Sequence, residues 1–171
     1  MSFTLTYEYD PTDQPSLSWE SMRSFMKIGW GSTGQKAYDD YCSFNRKFFS
    51  DQLPPAHISF SYTSQFGGWL GQCAYGKERS SCRHTMARIT LCRPLSRKLP
   101  ASFRNRQYSL CADSAVLLHE MVHYLQDMNK IDFRCTAEME RDAWPIQKQY
   151  LKEQHDYEWD YDRLWYTVIS T

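Results

Sequence analysis

The order of apolar patterns along the 171-residue chain predicts an α+β protein. A segment with helical spacing comes first, three short segments with strand patterns follow, and two further helical segments come last. Helices and strands that are segregated along the chain in this way are typical of the α+β class. The hydrophobic fraction is 42%, which is enough for one core, so we predict a single domain over residues 1–171.

The first predicted helix begins at Ser32-Thr33-Gly34 and ends before Leu53-Pro54-Pro55. Serine and threonine are typical of helix starts, and consecutive prolines stop a helix. Between these signals, aromatic residues recur at intervals of three and four, which predicts one buried stripe. The stripe consists of Tyr38, Tyr41, Phe44 and Phe48.

Three short segments then predict strands. Residues 57–62 alternate between apolar and polar side chains, and residues 70–75 and 86–92 are further short apolar segments. Gly67-Gly68 predicts a turn between the first two strands. We expect a small antiparallel or mixed sheet of about three strands, packed against the helices that follow.

Two helices are predicted after the strands. The first is an apolar run that Asp113 or Ser114 caps and that ends near Met128. The second begins near Thr136 and is expected to bend at Pro145, because proline removes one backbone hydrogen bond of a helix.

The two ends of the chain are less regular. Residues 1–30 predict no definite element, whereas residues 157–171 are rich in aromatic side chains and predict a C-terminal helix packed on the body. No apolar run reaches the length of a membrane span, and the first residues lack the basic and apolar regions of a signal peptide. We therefore expect a cytoplasmic protein, or one exported by a route that needs no cleaved leader.

Basic residues are concentrated in one segment of the chain. The formal net charge is zero, but residues 77–106 carry nine basic side chains against Glu78 alone. Such a segment can bind a nucleic-acid backbone, although the net charge gives this interpretation no support, and a solvated surface is the simpler alternative.

The six cysteines include no CxxC pair, which argues against a zinc ribbon. In the cytosol they would be small buried side chains, and after export they could form disulfides.

The motif His119-Glu120-Met121-Val122-His123 predicts the chemistry. Two histidines four residues apart lie one turn apart on the same face of a helix, so both imidazoles can bind one Zn²⁺. The glutamate beside the first histidine can then hold a zinc-bound water and accept its proton. We therefore predict His119 and His123 as metal ligands and Glu120 as the general base.

A catalytic zinc site needs a third protein ligand and one open position. In the next helix, Glu140 falls about 50° from the centre of the apolar stripe, Asp142 about 110° and Glu138 about 150°, at the helical period. A carboxylate on a buried face needs a partner, which a metal provides, so Glu140 is the predicted ligand. Glu138 is the alternative, because Glu138 and Asp142 have the ExxxD spacing of the thermolysin-like ligand helix.

Three polar residues near the motif are predicted to support the site. We expect Asp142 and Tyr124 to contact the ligands rather than the metal. Gln126, like Tyr124, is expected to support the site or fill the core rather than to take part in the chemistry. A closed structural zinc site is disfavoured, because such sites are usually rich in cysteine and give the motif's glutamate no purpose.

Several motifs resemble, in order, those of one protease family. Five parts of the sequence are similar to the opening helix, the strands and the metal helix of SprT-like, Spartan-type zinc metalloproteases. They are the segment 44–54 (FNRKFFSDQLP), the segment 71–75 (GQCAY), Cys82, the segment 87–95 (ARITLCRPL) and the segment 117–123 (LLHEMVH). The resemblance covers about residues 38–128. It implies a zincin-like α+β fold, with His119 and His123 as ligands and Glu120 as general base.

The same resemblance implies a third ligand with an aromatic residue four positions later. The family has a histidine there, and this chain has Glu140 followed by Trp144, which changes the ligand set to His₂Glu. Within residues 1–171 we expect no counterpart of the C-terminal zinc-binding or DNA-binding module that the family's DNA-repair branch carries.

The leading hypothesis from the sequence is a zinc metalloendopeptidase that hydrolyses peptide bonds of a protein substrate. One alternative is a protease delivered as a toxin or effector by a bacterial secretion system. An alternative of another class is a nucleic-acid-associated binding module that uses the basic segment 77–106, and salt-dependent binding to DNA would favour it.

Overall fold

The computed structural model describes residues 18–61, 71–74, 87–92 and 106–156, without the side chains of residues 92 and 106–112. The described elements confirm the α+β prediction: three helices accompany a three-stranded mixed sheet. In chain order they are α1 (Trp19–Phe48), β1 (His57–Ser61), β2 (Gly71–Ala74), β3 (Arg88–Cys92), α2 (Arg106–Met128) and α3 (Thr136–His155).

The sheet has the strand order β1-β3-β2. β3 pairs in parallel with β1, where Ile58 lies opposite Ile89, and antiparallel with β2, where Cys73 lies opposite the same Ile89. Side chains of β1 alternate between half-buried and buried, as its sequence pattern predicts, so that Ile58 and Phe60 enter the core. This order leaves β2 as one edge of the described sheet.

Helix α1 begins earlier than predicted. It starts at Trp19, after Ser18 as N-cap, within a segment that was expected to hold no definite element. The helix has a kink at Gly31, whose φ of 59° and ψ of −142° lie in a region that glycine adopts readily. The kink separates two helical halves, and Met22 and Met26 on the first half are both buried. The predicted aromatic stripe on the second half is buried as well.

The turn after α1 is held by one buried side chain. The Asn45 amide donates to the Leu53 carbonyl at 2.8 Å, and the Leu53 N–H donates to Asn45 Oδ1 at 3.0 Å. Between them, Ser50 and Asp51 have φ angles of 52° and 59°. The side chain of Asn45 thus satisfies the backbone of a turn that two left-handed residues allow.

Helix α2 packs against both other helices and against β2 and β3. It ends at Met128 as predicted, but it begins at Arg106, so the expectation that Asp113 or Ser114 caps it is wrong. Asp113 and Ser114 are residue types that often cap a helix, but the backbone is already helical before them. Ser114 instead links two helices, because its hydroxyl donates to Oδ2 of Asp40 at 2.7 Å.

Helix α3 begins at Thr136 as predicted and continues through Pro145 to His155. Pro145 lies on the exposed side of the helix, where water can bond to the carbonyl that its missing N–H leaves free. The helix therefore remains unbroken at the position where a bend was expected.

Several predictions fall on residues outside the described ranges. They concern the Gly67-Gly68 turn, the aromatic segment 157–171 and most of the basic segment 77–106. Within the described part of the chain, no helix combines the length and the hydropathy that a membrane crossing requires.

Candidate metal centre

Helix α2 presents two imidazoles side by side. The ring centroids of His119 and His123 are 4.7 Å apart, and their Nε2 atoms are 2.9 Å apart. Only 9% of His119 and 7% of His123 are exposed. The spacing of four residues therefore places both imidazoles on the same face of α2, as the helical period predicts. Other elements of the fold cover this face.

Helix α3 adds a carboxylate to this pair. Oε2 of Glu140 lies 3.0 Å from Nε2 of His119, and Oε1 lies 3.4 Å from Nε2 of His123. Glu140 is 7% exposed and lies on the buried face of α3, as its position on the apolar stripe predicts. Residues 119 and 140 are thus brought together by the packing of α2 on α3.

The three side chains could hold one metal ion. One ligand atom from each of His119, His123 and Glu140 lies within 4.8 Å of the others. Metal–ligand bonds of about 2.0–2.1 Å at a tetrahedral angle place neighbouring ligand atoms about 3.3 Å apart. The observed separations of 2.9, 3.0 and 3.4 Å are close to this value. The site therefore fits a small divalent cation with little rearrangement of the three side chains.

The Glu140 carboxylate is ionised in this environment. Burial by itself raises its pKa, but hydrogen bonds from His119 and His123 and their charge outweigh burial and lower the pKa to about 2. A carboxylate and two imidazoles that face each other are the donor set that divalent transition metals bind.

Trp144 supports Glu140 from the same helix. Its indole Nε1–H donates a hydrogen bond to Oε2 of Glu140, and its ring centroid lies 6.0 Å from that of His119. The aromatic residue four positions after the predicted ligand therefore contacts that ligand directly.

Glu120 lies beside the ligands but faces β2. It is 5% exposed, and its carboxylate accepts a hydrogen bond from the backbone N–H of Cys73. A Cβ atom added to Gly71 would lie 2.6 Å from Oε1 of Glu120 and 2.6 Å from Cγ1 of Val116, so a side chain at position 71 would push β2 away from this part of α2. Burial raises the pKa of Glu120, and the nearby Glu140 raises it further, against the opposing effect of the two histidines.

Two of the three predicted supporting residues, Asp142 and Tyr124, differ in their positions. The carboxylate of Asp142 accepts a hydrogen bond from the Gln126 amide at 3.3 Å, and Gln126 also contacts His123 at 2.9 Å. Asp142 thus reaches the site through Gln126. Tyr124 is a member of the hydrophobic core.

Glu138, the alternative third ligand, lies away from this group. Its carboxylate accepts hydrogen bonds from the side chain of Arg134 and, at 3.0 Å, from the Arg134 backbone N–H. These bonds lower the pKa of Glu138. The residue therefore pairs with the exposed guanidinium of Arg134, which lies just before α3, as its position on the polar side of the helix indicates.

Two contacts of the site were not predicted from the sequence. Nothing in the sequence indicates that Gly71 and Cys73 meet Glu120, because this depends on which strand forms the edge beside α2. Gln126 carried a signal: it is a polar residue inside an apolar run, three positions after His123 and thus on nearly the same face of the helix.

Comparison with known proteins identifies the family of this chain. Residues 71–170 match the family described as "Domain of unknown function (DUF6647)". No curated protein and no solved structure matches the chain. The matched region is more than half of the chain and contains β2, β3, α2 and α3, and with them every residue of the candidate metal centre. The chain therefore belongs to the DUF6647 family.

Proposed function

We propose that the protein is a zinc-dependent metallopeptidase that hydrolyses peptide bonds of a protein substrate. The observation that carries this proposal is the position of Glu120. It is a buried carboxylate that directly follows the candidate ligand His119 in the sequence. It is hydrogen-bonded to the backbone of β2 and is not one of the three candidate ligands. A structural metal site has no use for such a group, whereas a hydrolase needs one.

The donor set supports zinc as the metal. Two imidazoles and one carboxylate, His119, His123 and Glu140, form a three-ligand set of the kind that catalytic zinc sites use, with one position left for water or substrate. Zinc bound there would act as a Lewis acid that lowers the pKa of a water molecule and polarises a carbonyl.

The residues of the chain have separate tasks in this scheme. Glu120 accepts a proton from the attacking water and delivers it to the leaving amine, which makes it general base and then general acid. Gly71 and the Cys73 N–H fix the carboxylate in place for both transfers. Trp144 orients Glu140 through its indole N–H.

The same proposal includes a zincin-like fold and a relation to SprT-like proteases. Two features support it: an antiparallel edge strand, β2, packs against the helix that carries the motif, and the third candidate ligand comes from the next helix. The carboxylate at position 140, where SprT-like proteases have a histidine, distinguishes this chain within that proposal.

The test is peptide-bond cleavage that depends on both zinc and Glu120. Zinc-loaded protein is incubated with labelled casein and with a mixed peptide library, and the products are identified by mass spectrometry. We expect cleavage that a chelator abolishes and zinc restores. Glu120→Gln should keep zinc but lose about 10²–10⁴-fold in rate, since an amide cannot accept the proton.

Glu138→Gln is the matched control, because it makes the same chemical change at a carboxylate outside the metal group. It should cleave at the rate of the unmodified protein. Zinc-loaded protein that cleaves neither substrate, or a Glu120→Gln variant with undiminished cleavage, would contradict the proposal.

A further inference from the structure

A single buried amide connects His123 to helix α3. Gln126 is 1% exposed and lies on α2, three residues after His123. Its Oε1 is 2.9 Å from Nδ1 of His123. Its Nε2 donates to the backbone carbonyl of Met139 at 3.0 Å and to Oδ2 of Asp142 at 3.3 Å. Met139 and Asp142 lie on either side of Glu140 in α3.

The two partners on α3 determine which way this amide points. A backbone carbonyl and a carboxylate can only accept hydrogen bonds, so the amide must direct its NH₂ group toward Met139 and Asp142. The flipped amide would place its oxygen against two other oxygens in a buried position, where unpaired polar groups are costly. The oxygen of Gln126 therefore faces His123.

The orientation of the amide in turn determines the proton of His123. An amide oxygen cannot donate, so the imidazole must carry a proton on Nδ1 to form the 2.9 Å contact. The hydrogen bond made by one imidazole nitrogen decides which nitrogen can bind a metal. In His123 the nitrogen left for the metal is Nε2, which lies 2.9 Å from Nε2 of His119 and 3.4 Å from Oε1 of Glu140.

We propose that Gln126 is a positioning residue through which the docking of α3 selects the Nδ1–H tautomer of His123. One docking event then delivers Glu140 and prepares His123, so that the ligands of both helices become competent together. The proposal rests on the metal centre of the proposed function. Coupling of this kind is reciprocal, so metal binding at His123 also stabilises α3 on α2.

The first experiment examines the metal-free protein. ¹⁵N NMR of the imidazole rings, recorded at a pH where His123 is neutral and with the signals assigned by substitution of each histidine, is expected to show His123 with a protonated, hydrogen-bonded Nδ1 and an unprotonated Nε2. Gln126→Glu retains an oxygen toward His123 and should keep this signal, whereas Gln126→Leu should lose it. A deprotonated Nδ1 in the unmodified protein would overturn the proposal, even if no variant could be purified.

The second experiment measures zinc affinity by competition with a chelator. Gln126→Leu should bind zinc about 10–100-fold more weakly, the usual effect of removing the hydrogen-bond partner of a ligand histidine. Gln126→Glu should bind with intermediate affinity, because it retains the acceptor but loses the two donated bonds to α3. A merely structural role would lower the stability of the metal-free protein in both variants and leave the zinc affinity of the folded protein unchanged.

Asn129→Ala is the matched control. Asn129 directly follows α2, and its amide donates to a backbone carbonyl of the helix, that of Leu125, at 2.6 Å. Its removal should leave both the His123 signal and the zinc affinity unchanged. A loss of affinity in Asn129→Ala equal to that in Gln126→Leu would overturn the proposal. Absence of peptidase activity would not, because neither experiment requires cleavage.

Discussion

Replacing Glu140 by alanine tests whether α3 contributes a ligand to the metal centre. The substitution removes the carboxylate that lies 3.0 Å from His119 Nε2 and 3.4 Å from His123 Nε2. It also removes the acceptor of the Trp144 indole N–H. The two imidazoles of α2 remain, because their spacing is set by their own helix.

The expected loss of zinc affinity can be estimated from the contribution of one ligand to the free energy of zinc binding. Zinc binding to four-ligand structural sites releases about 10–16 kcal/mol, or about 3 kcal/mol per ligand. A loss of about 3 kcal/mol corresponds to a weakening of about 100-fold. We therefore expect Glu140→Ala to raise the zinc dissociation constant by about two orders of magnitude.

Glu138→Ala is the matched comparison, two residues away on the same helix. Its carboxylate pairs with the exposed Arg134, and exposed ion pairs contribute little to stability. We expect its zinc affinity to equal that of the unmodified protein. The pair of variants thus differs in the face of α3 that is changed and not in the chemistry of the substitution.

The assay is zinc retention against a chelator of known affinity, with circular dichroism to establish that each metal-free variant is folded. The reasoning is refuted if Glu138→Ala loses the metal while Glu140→Ala keeps it. That result would mean that α3 has a different rotation about its axis in the metal-bound protein, with the ExxxD spacing of Glu138 and Asp142 supplying the ligand.

Three further predictions concern the metal, the general base and the turn after α1. Protein purified without added metal should contain about one equivalent of zinc by elemental analysis, and zinc-free protein that takes up none on titration would exclude a zinc enzyme. Gly71→Val should reduce the cleavage rate while zinc content stays the same, because its Cβ would lie 2.6 Å from Oε1 of Glu120 and from Cγ1 of Val116 and would displace the carboxylate from β2, and an unchanged rate would show that this close packing does not matter. Asn45→Ala should lower the free energy of unfolding by about 2 kcal/mol in urea titrations, because two buried partners on Leu53 lose their hydrogen bonds, and an unchanged midpoint would contradict this assignment.

The parts of the fold that were predicted correctly are those that local periodicity determines. The aromatic stripe from Tyr38 to Phe48 and the alternation in β1 each follow from the spacing of neighbouring residues. The first half of α1 does not. Its buried residues, Met22 and Met26, occur among polar ones, and its end at Gly31 depends on a backbone conformation that the sequence permits but does not require. The start of α2 was misplaced because Asp113 and Ser114 are residue types that often cap a helix, and no such signal in the sequence marks Arg106 as its first residue.

In the candidate site, too, the positions that helical spacing determines could be predicted, whereas the contacts that tertiary packing determines could not. His119 and His123 could be paired from the sequence because one helical turn fixes their relation, and the burial of Glu140 followed from its angle on α3. The contact of Glu120 with Gly71 and Cys73 could not be predicted, because it requires the strand order β1-β3-β2 and the packing of β2 on α2. Strand order in this sheet is a tertiary property, since β1 pairs with β3 and not with the strand that follows it.

Gln126 shows why a residue can be noticed in a sequence without its task being evident. Its position three residues after His123 already brings the two side chains together on α2. Which of its atoms faces the imidazole is decided by Met139 and Asp142, 13 and 16 residues further along the chain. Both partners there are acceptors, so the oxygen turns to His123 and the proton of the imidazole is placed on Nδ1. The state of a side chain on α2 is therefore set by groups on α3, and this relation exists only when the two helices are packed.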